Sequence, residues 1–174
     1  MITNSKLKTQ NSKFITSRGF TLIEIIISIT ILAVIGVASI AYLGGYRRSV
    51  SVDSEAEKIT AYLRQAQNKA MSGEAVSGQA PTDWGVHFVN PASGTAYYAI
   101  FRGSSYSADA SDETIYLSQQ AQFSDPAASS TKDIVFQRIT GRPTATTTTI
   151  ILQSAANASL NRTISVNSLG QASY

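Results

Sequence analysis

Glu24 stands directly before residues 25–43, a run with no charged side chain. A carboxylate there can sit at a helix N-terminus, where the dipole favours it. Alternatively it can pair with a positive group on a neighbouring molecule, since burying it unpaired in a membrane costs about 2–3 kcal/mol. Elsewhere, groups that could do chemistry are sparse. The chain has no cysteine, which excludes disulfides, thiol catalysis and thiolate metal sites. His87 is the sole histidine and is expected to be an exposed strand residue rather than a catalytic or metal-binding one. Serines are plentiful, but no Gly-x-Ser-x-Gly elbow and no phosphate-binding glycine loop occurs. Asp109, Asp112 and Glu113 could gather around calcium, yet that ion wants roughly six to eight oxygens and the spacing fits no EF-hand. A solvated acidic loop is expected instead. Asn157-Ala158-Ser159 and Asn161-Arg162-Thr163 match the glycosylation pattern and are expected to be unused. Catalytic residues, metal sites and cofactors are therefore expected to be absent, and the chain is not expected to be an enzyme.

The elements around Glu24 fall into order. Residues 1–19 are polar and basic and cannot bury enough apolar surface to fold alone. Residues 25–43 would make about 28 Å of helix, close to the roughly 30 Å hydrocarbon thickness. Ser28, Thr30 and Ser39 can bond back to their own helix. A secretory signal fits poorly, because its apolar region should be shorter and end at an Ala-x-Ala-like site. Lys6, Lys8, Lys13 and Arg18 precede the run, and only Arg47 and Arg48 follow it closely. That asymmetry keeps the N-terminus in the cytoplasm and the rest outside. The formal charge of +3 also comes from this leader. Without its four cations, ten basic residues face 11 acidic ones, and no nucleic-acid affinity follows from the charge.

The stretch Arg18-Gly19-Phe20-Thr21-Leu22-Ile23-Glu24, followed by some twenty apolar residues, resembles the processing site of type IV prepilins and pseudopilins. The resemblance implies a membrane peptidase that cuts after Gly19 and methylates the new N-terminal amine of Phe20. It also implies that Glu24 neutralises the amine of an adjacent subunit in a filament. Many major pilins carry a proline midway along the helix. Ala41 stands at that position here, which favours a minor subunit.

Beyond Gly44-Gly45 the chain resumes a helical pattern. Val52, Ala56, Ile59, Leu63, Ala66 and Ala70 form one apolar stripe, and Glu55, Glu57, Lys58, Arg64, Gln65, Gln67 and Lys69 fall largely off it. Gly73 ends the pattern. An unbroken helix over residues 20–72 would be about 80 Å long, with Gly36 and Gly44-Gly45 as the places to bend.

From Trp84 onward the period becomes two. Strands are expected at 84–89 and 97–101, joined as a hairpin, then at 114–117, 133–139 and 146–153. Residues 162–167 and 171–174 should form a last hairpin. Six or seven short antiparallel strands result, with a mobile loop over 103–113 and a linker over 72–82. The segments Trp84-Gly85-Val86-His87-Phe88, Ile134-Val135-Phe136…Gly141-Arg142-Pro143 and Ile164-Ser165-Val166-Asn167-Ser168-Leu169-Gly170 resemble the GspH/FimT type of minor pseudopilin.

The expected fold is α+β: a long N-terminal helix, part membrane and part amphipathic, packed on an antiparallel β-sheet head. Its divisions are a cleaved leader (1–19), a transmembrane and filament-core helix (20–46), an amphipathic helix (47–72) and a β head (73–174). The chain would rest as a single-pass protein of the inner membrane, with its head outside, before entering a periplasmic or cell-surface filament. The resemblance implies as partners other pilin or pseudopilin subunits, the prepilin peptidase, the inner-membrane assembly platform and membrane lipid. The filament could be a type IV pilus, a type II secretion pseudopilus or a competence structure. Two other readings compete with the structural subunit: a membrane-anchored enzyme, and a DNA-binding minor pilin using Arg138, Arg142 and Arg162. Against the latter, basic and acidic residues beyond Leu43 are equal in number.

Overall fold

The stripe read at residues 52–70 becomes the spine of the head. The structure, a computed structural model, describes residues 19–75, 80–145 and 148–174; the side chains of residues 39–45, 47 and 48 also lie outside that description. One helix, α1, spans Leu22–Ser72 and includes Gly36, Gly44 and Gly45. The chain divides into two compact units, residues 1–41 and 42–174.

In the first unit, residues 21–38 are exposed, their apolar side chains included. Ser28 Oγ donates to Glu24 O at 2.7 Å and Thr30 Oγ1 to Ile26 O at 2.8 Å, the expected back-bonding. Ser39 lies outside the described side chains, as do Ala41, Arg47 and Arg48, and the leader 1–18 lies outside the described residues. Among the described residues, no helix is long and apolar enough to cross a membrane. The run 25–43 passes into residues 39–43, whose side chains are not described.

In the second unit, Val52, Ala56, Ile59, Leu63, Ala66 and Ala70 are all buried. α1 ends in a paired backbone cap: Glu74 N–H donates to Lys69 O at 3.1 Å and Gly73 N–H to Ala70 O at 3.2 Å, with Gly73 at φ +63°. Only a residue without Cβ adopts that left-handed geometry freely, so the helix stops at the expected glycine.

Eight antiparallel strands are described, in two sheets. The first has order β3 (Ser111–Tyr116), β2 (Tyr97–Arg102), β1 (Trp84–Asn90), β5 (Ser130–Phe136). The second has order β4 (Ala121–Asp125), β6 (Thr148–Ser154), β7 (Asn157–Val166), β8 (Ala172–Ser173). Trp84, Val86, Phe88, Ile100, Ile134 and Phe136 of one sheet share a single core with Phe123, Ile150, Leu152, Ile164 and Val166 of the other, closed by the α1 stripe. Lys132 Nζ ties the sheets together, donating to Asp125 Oδ2 at 2.6 Å and Thr149 O at 2.7 Å.

Several expectations need correction. The expected strand at 133–139 starts and stops three residues earlier, because residues 137–142 leave the sheet to reach α1. The strand expected to begin at 162 begins at Asn157, since 155–156 form a tight turn from β6. Strand β4 was not expected at all. Of the expected strand at 146–153, residues 146 and 147 lie outside the described residues, as do 76–79 of the expected linker.

Glu55 is buried rather than on the polar face. Sheets on either side of α1 widen its buried face beyond a single stripe, so Thr60 is buried as well. Glu55 Oε1 accepts from Lys58 Nζ at 3.1 Å, but Glu55 Oε2 and the Tyr98 hydroxyl have no hydrogen-bond partner among the described residues. Burial pushes the Tyr98 hydroxyl well above its ordinary range, with the Glu55 charge adding to the effect.

Candidate functional site

The N-terminal site is built by the first turn of α1. Thr21 caps the helix: its Oγ1 accepts from Glu24 N–H at 3.3 Å, and its carbonyl accepts from Glu24 N–H at 3.1 Å and Ile25 N–H at 3.3 Å. Thr21-x-x-Glu24 is thus a capping-box spacing, a helix-start signal that the sequence itself carries. Gly19 and Phe20 lie just outside the helix, and Glu24 occupies its third position, where the partial positive charge of the helix end favours a carboxylate. Phe20, Leu22 and Ile23 are strongly exposed. The arrangement sets an apolar residue outside the capped end and an acid one turn inside it.

The head offers four further groups of residues. His87 is buried, contrary to expectation. Its Nδ1 contacts Asp133 Oδ1, and its ring lies flat on Tyr106, with centroids 3.7 Å apart and planes 4° apart. Tyr106 also meets Phe101 edge-on at 5.6 Å. Period two had placed His87 correctly, on the face opposite Trp84, Val86 and Phe88. Residues 103–110 then return over that face and shut it from water, so Ala99, Phe101 and Val135 are buried there too. The segment expected to be a free loop is therefore a cover, and its last part is strand β3.

The acidic residues do not converge. Asp112 accepts from Lys69 Nζ at 2.8 Å and Glu113 from the Tyr62 hydroxyl at 3.1 Å. Burial pushes the Tyr62 hydroxyl up, helped by Glu113. Burial alone would lower Lys69, but its bonds to Asp112 and Glu74 outweigh that and raise it. Lys69 also lies 4.4 Å over the Trp84 ring. Among the described residues, no group of three or more His, Asp or Glu could hold a metal ion.

The three late arginines do not gather either. Arg162 Nε is 2.5 Å from Asp53 Oδ1 on α1, whereas Arg138 and Arg142 share the loop 137–142.

The fourth group joins that loop, the turn 167–171 and the end of α1. Gln67 Nε2 donates to Gly141 O and to Leu169 O, both at 3.2 Å. Gly141 (φ +63°) and Gly170 (φ +85°) adopt geometry that suits glycine, and a Cβ on Gly141 would lie 2.6 Å from Met71 Cγ.

Comparison with known proteins agrees with this layout. Residues 16–40 match the prokaryotic N-terminal methylation motif, and residues 55–170 match the family of type II transport protein GspH. The crystal structure of the type IV minor pilin FimU of Pseudomonas aeruginosa (strain PAO1) is similar in fold. Its TM-score is 0.51 at 16% identity, covering 70% of this chain and 90% of that one. No curated protein matches the chain. Pilins and pseudopilins are structural subunits rather than enzymes, and they assemble with other pilin subunits into filaments. The chain belongs to the type II transport protein GspH family and is a minor pseudopilin of GspH type.

Proposed function

We propose that a prepilin peptidase cuts this chain between Gly19 and Phe20, that Phe20 becomes the N-methylated first residue, and that Glu24 then pairs with the amine of a neighbouring subunit. Residues 20–46 form the membrane and filament-core helix, 47–72 the amphipathic stalk and 73–174 the head. The subunit waits in the inner membrane, N-terminus inward, until the assembly platform adds it to a filament of the type II secretion, type IV pilus or competence kind.

One observation carries this reading: Arg18, Gly19, Phe20 and Glu24 fall within the matched methylation motif, directly before an uncharged run. The capped helix start supports it, since Thr21 holds the Glu24 backbone and leaves Phe20 outside the helix. An ammonium and a carboxylate are each costly to bury alone and tolerable together. Assembly then uses the bare apolar side chains of the first unit, whose burial among like helices drives bundling.

Mass spectrometry of the mature protein tests the proposal. The expected N-terminal peptide begins with methylated Phe20. Finding residues 1–18 still attached to the filament-borne molecule would overturn it.

A further inference from the structure

The corner of the head where α1 ends exposes three large aliphatic side chains: Met71 is 51% exposed, Ile139 69% and Leu169 56%. Backbone contacts hold their segments together. Ile139 N–H donates to Ala70 O at 3.0 Å, and Gln67 bridges Gly141 and Leu169. Ile139 is also in an unfavourable conformation. It has φ +71°, and Thr140 N–H donates across it to Arg138 O at 2.8 Å, which makes a γ-turn of the rare, strained hand. A β-branched residue resists positive φ more than most.

The loop around it is over-determined. Arg138 N–H donates to Asp83 Oδ1 at 2.7 Å, Gln137 N–H to Arg142 O at 2.8 Å and Gly141 N–H to Gln137 O at 2.9 Å. The neighbouring turn is locked as well, since Asn167 Oδ1 accepts from Leu169 N–H at 3.0 Å and Gln171 N–H at 2.9 Å. The frame lets the strained loop reach α1 while leaving the Ile139 side chain in water. Arg138 and Arg142 lie in the same loop, and neither guanidinium has a partner among the described residues.

We propose that Met71, Ile139 and Leu169, with Arg138 and Arg142 beside them, dock the head of a different pilin-type subunit that presents an apolar contact edged by carboxylates. This rests on the filament reading above. A two-fold pairing of two copies through this corner would set arginines against arginines, so that pairing is disfavoured. DNA is also disfavoured: two guanidinium groups are few for a phosphate track, and none of the three apolar residues offers a ring for base stacking.

The test uses filaments containing the full chain. p-Benzoylphenylalanine is placed at position 139, or at exposed Tyr116 as the control, and the filaments are irradiated. The expected result is an adduct at 139 to an acidic peptide of another pilin-type subunit, about tenfold more abundant than at 116 and reduced about tenfold by Arg138→Glu with Arg142→Glu. A second variant guards against misfolding. Ile139→Gly relieves the turn, so it should raise the unfolding temperature while lowering the adduct-forming partner's co-purification several-fold. An adduct to a second copy or to nucleic acid, no adduct at 139, or unchanged partner co-purification by Ile139→Gly would each overturn the proposal. If the unsubstituted chain carries methylated Phe20 in those filaments, such a failure concerns this surface alone. If the chain is absent from filaments, the filament reading fails with it.

Discussion

The carbonyl oxygen of Gly141 occupies the space a side chain on Gly170 would need: a Cβ there would lie 2.2 Å from it. Two turns far apart in sequence thus touch through bare backbone. Gln67 of α1 inserts its amide beside both, 3.2 Å from Gly141 O. This close approach locks the 137–142 loop and the 167–171 turn onto the helix end.

Gly170→Ala should therefore cost more than backbone strain. The left-handed conformation alone costs an alanine about 1–2 kcal/mol. The collision with Gly141 O and Gln67 should bring the loss to about 3 kcal/mol or more. Gly94→Ala is the control, since Gly94 also has positive φ (+98°) but nothing within 4 Å of its added Cβ. Urea denaturation of the two variants measures the contrast, and equal losses would show that the contact contributes nothing.

His87→Ala should loosen the cover formed by residues 103–110. It removes a ring stacked at 3.7 Å on Tyr106 and the contact with Asp133. Such a stack is worth about 0.5–1.5 kcal/mol. Amide exchange in 103–110 should accelerate about tenfold, with strands β6 and β7 unchanged. His87→Phe, which keeps a ring but loses the Asp133 contact, should fall between. Uniform acceleration across the head would contradict a local role.

Tyr98→Phe should be tolerated at neutral pH and should improve stability at high pH. The hydroxyl is buried without a partner among the described residues, and deleting such a group leaves stability unchanged or raises it by about 1–2 kcal/mol. Burial, then the Glu55 charge, holds the Tyr98 hydroxyl protonated above its ordinary pKa of 10.0. The unfolded chain releases that proton first, so stability is full below about pH 10 and falls as pH rises beyond it. Lys69, Tyr62 and Tyr106 are raised too and add to the same alkaline loss. Unfolding curves between pH 8 and 11 should show a shallower decline for the variant; an identical decline would remove Tyr98 as a contributor.

Glu24→Ala should leave cleavage after Gly19 intact but reduce incorporation into filaments about tenfold. The mature N-terminus and the ratio of filament-borne to membrane-borne subunit are the two measurements. Unimpaired incorporation would count against pairing between Glu24 and a neighbour's amine. Thr21→Ala separates capping from pairing, since it removes only the bond that Thr21 Oγ1 accepts from Glu24 N–H. It should cost about 1 kcal/mol of local helix stability with little effect on assembly.

Much of this was legible in one dimension because it depends on near neighbours in the chain. The stripe from Val52 to Ala70 follows the helical period, and each member is buried. Gly73 supplies a left-handed cap wherever the helix packs. The hairpin of β1 and β2 follows alternation across a turn-rich loop, and the processing motif is a contiguous string of residues.

What tertiary structure alone decided depends on distant partners. Strand β4 has only Ala121 and Phe123 pointing inward, too weak an alternation to read, and exists because the edge of β6 pairs with it. His87 alternates outward as expected, yet it is buried because Tyr106 folds back over it. Arg162 is drawn to Asp53 and away from the other late arginines. Period and local backbone preference are properties of a segment. Burial, pairing and contact belong to whichever segment arrives opposite, and only the folded chain brings it there.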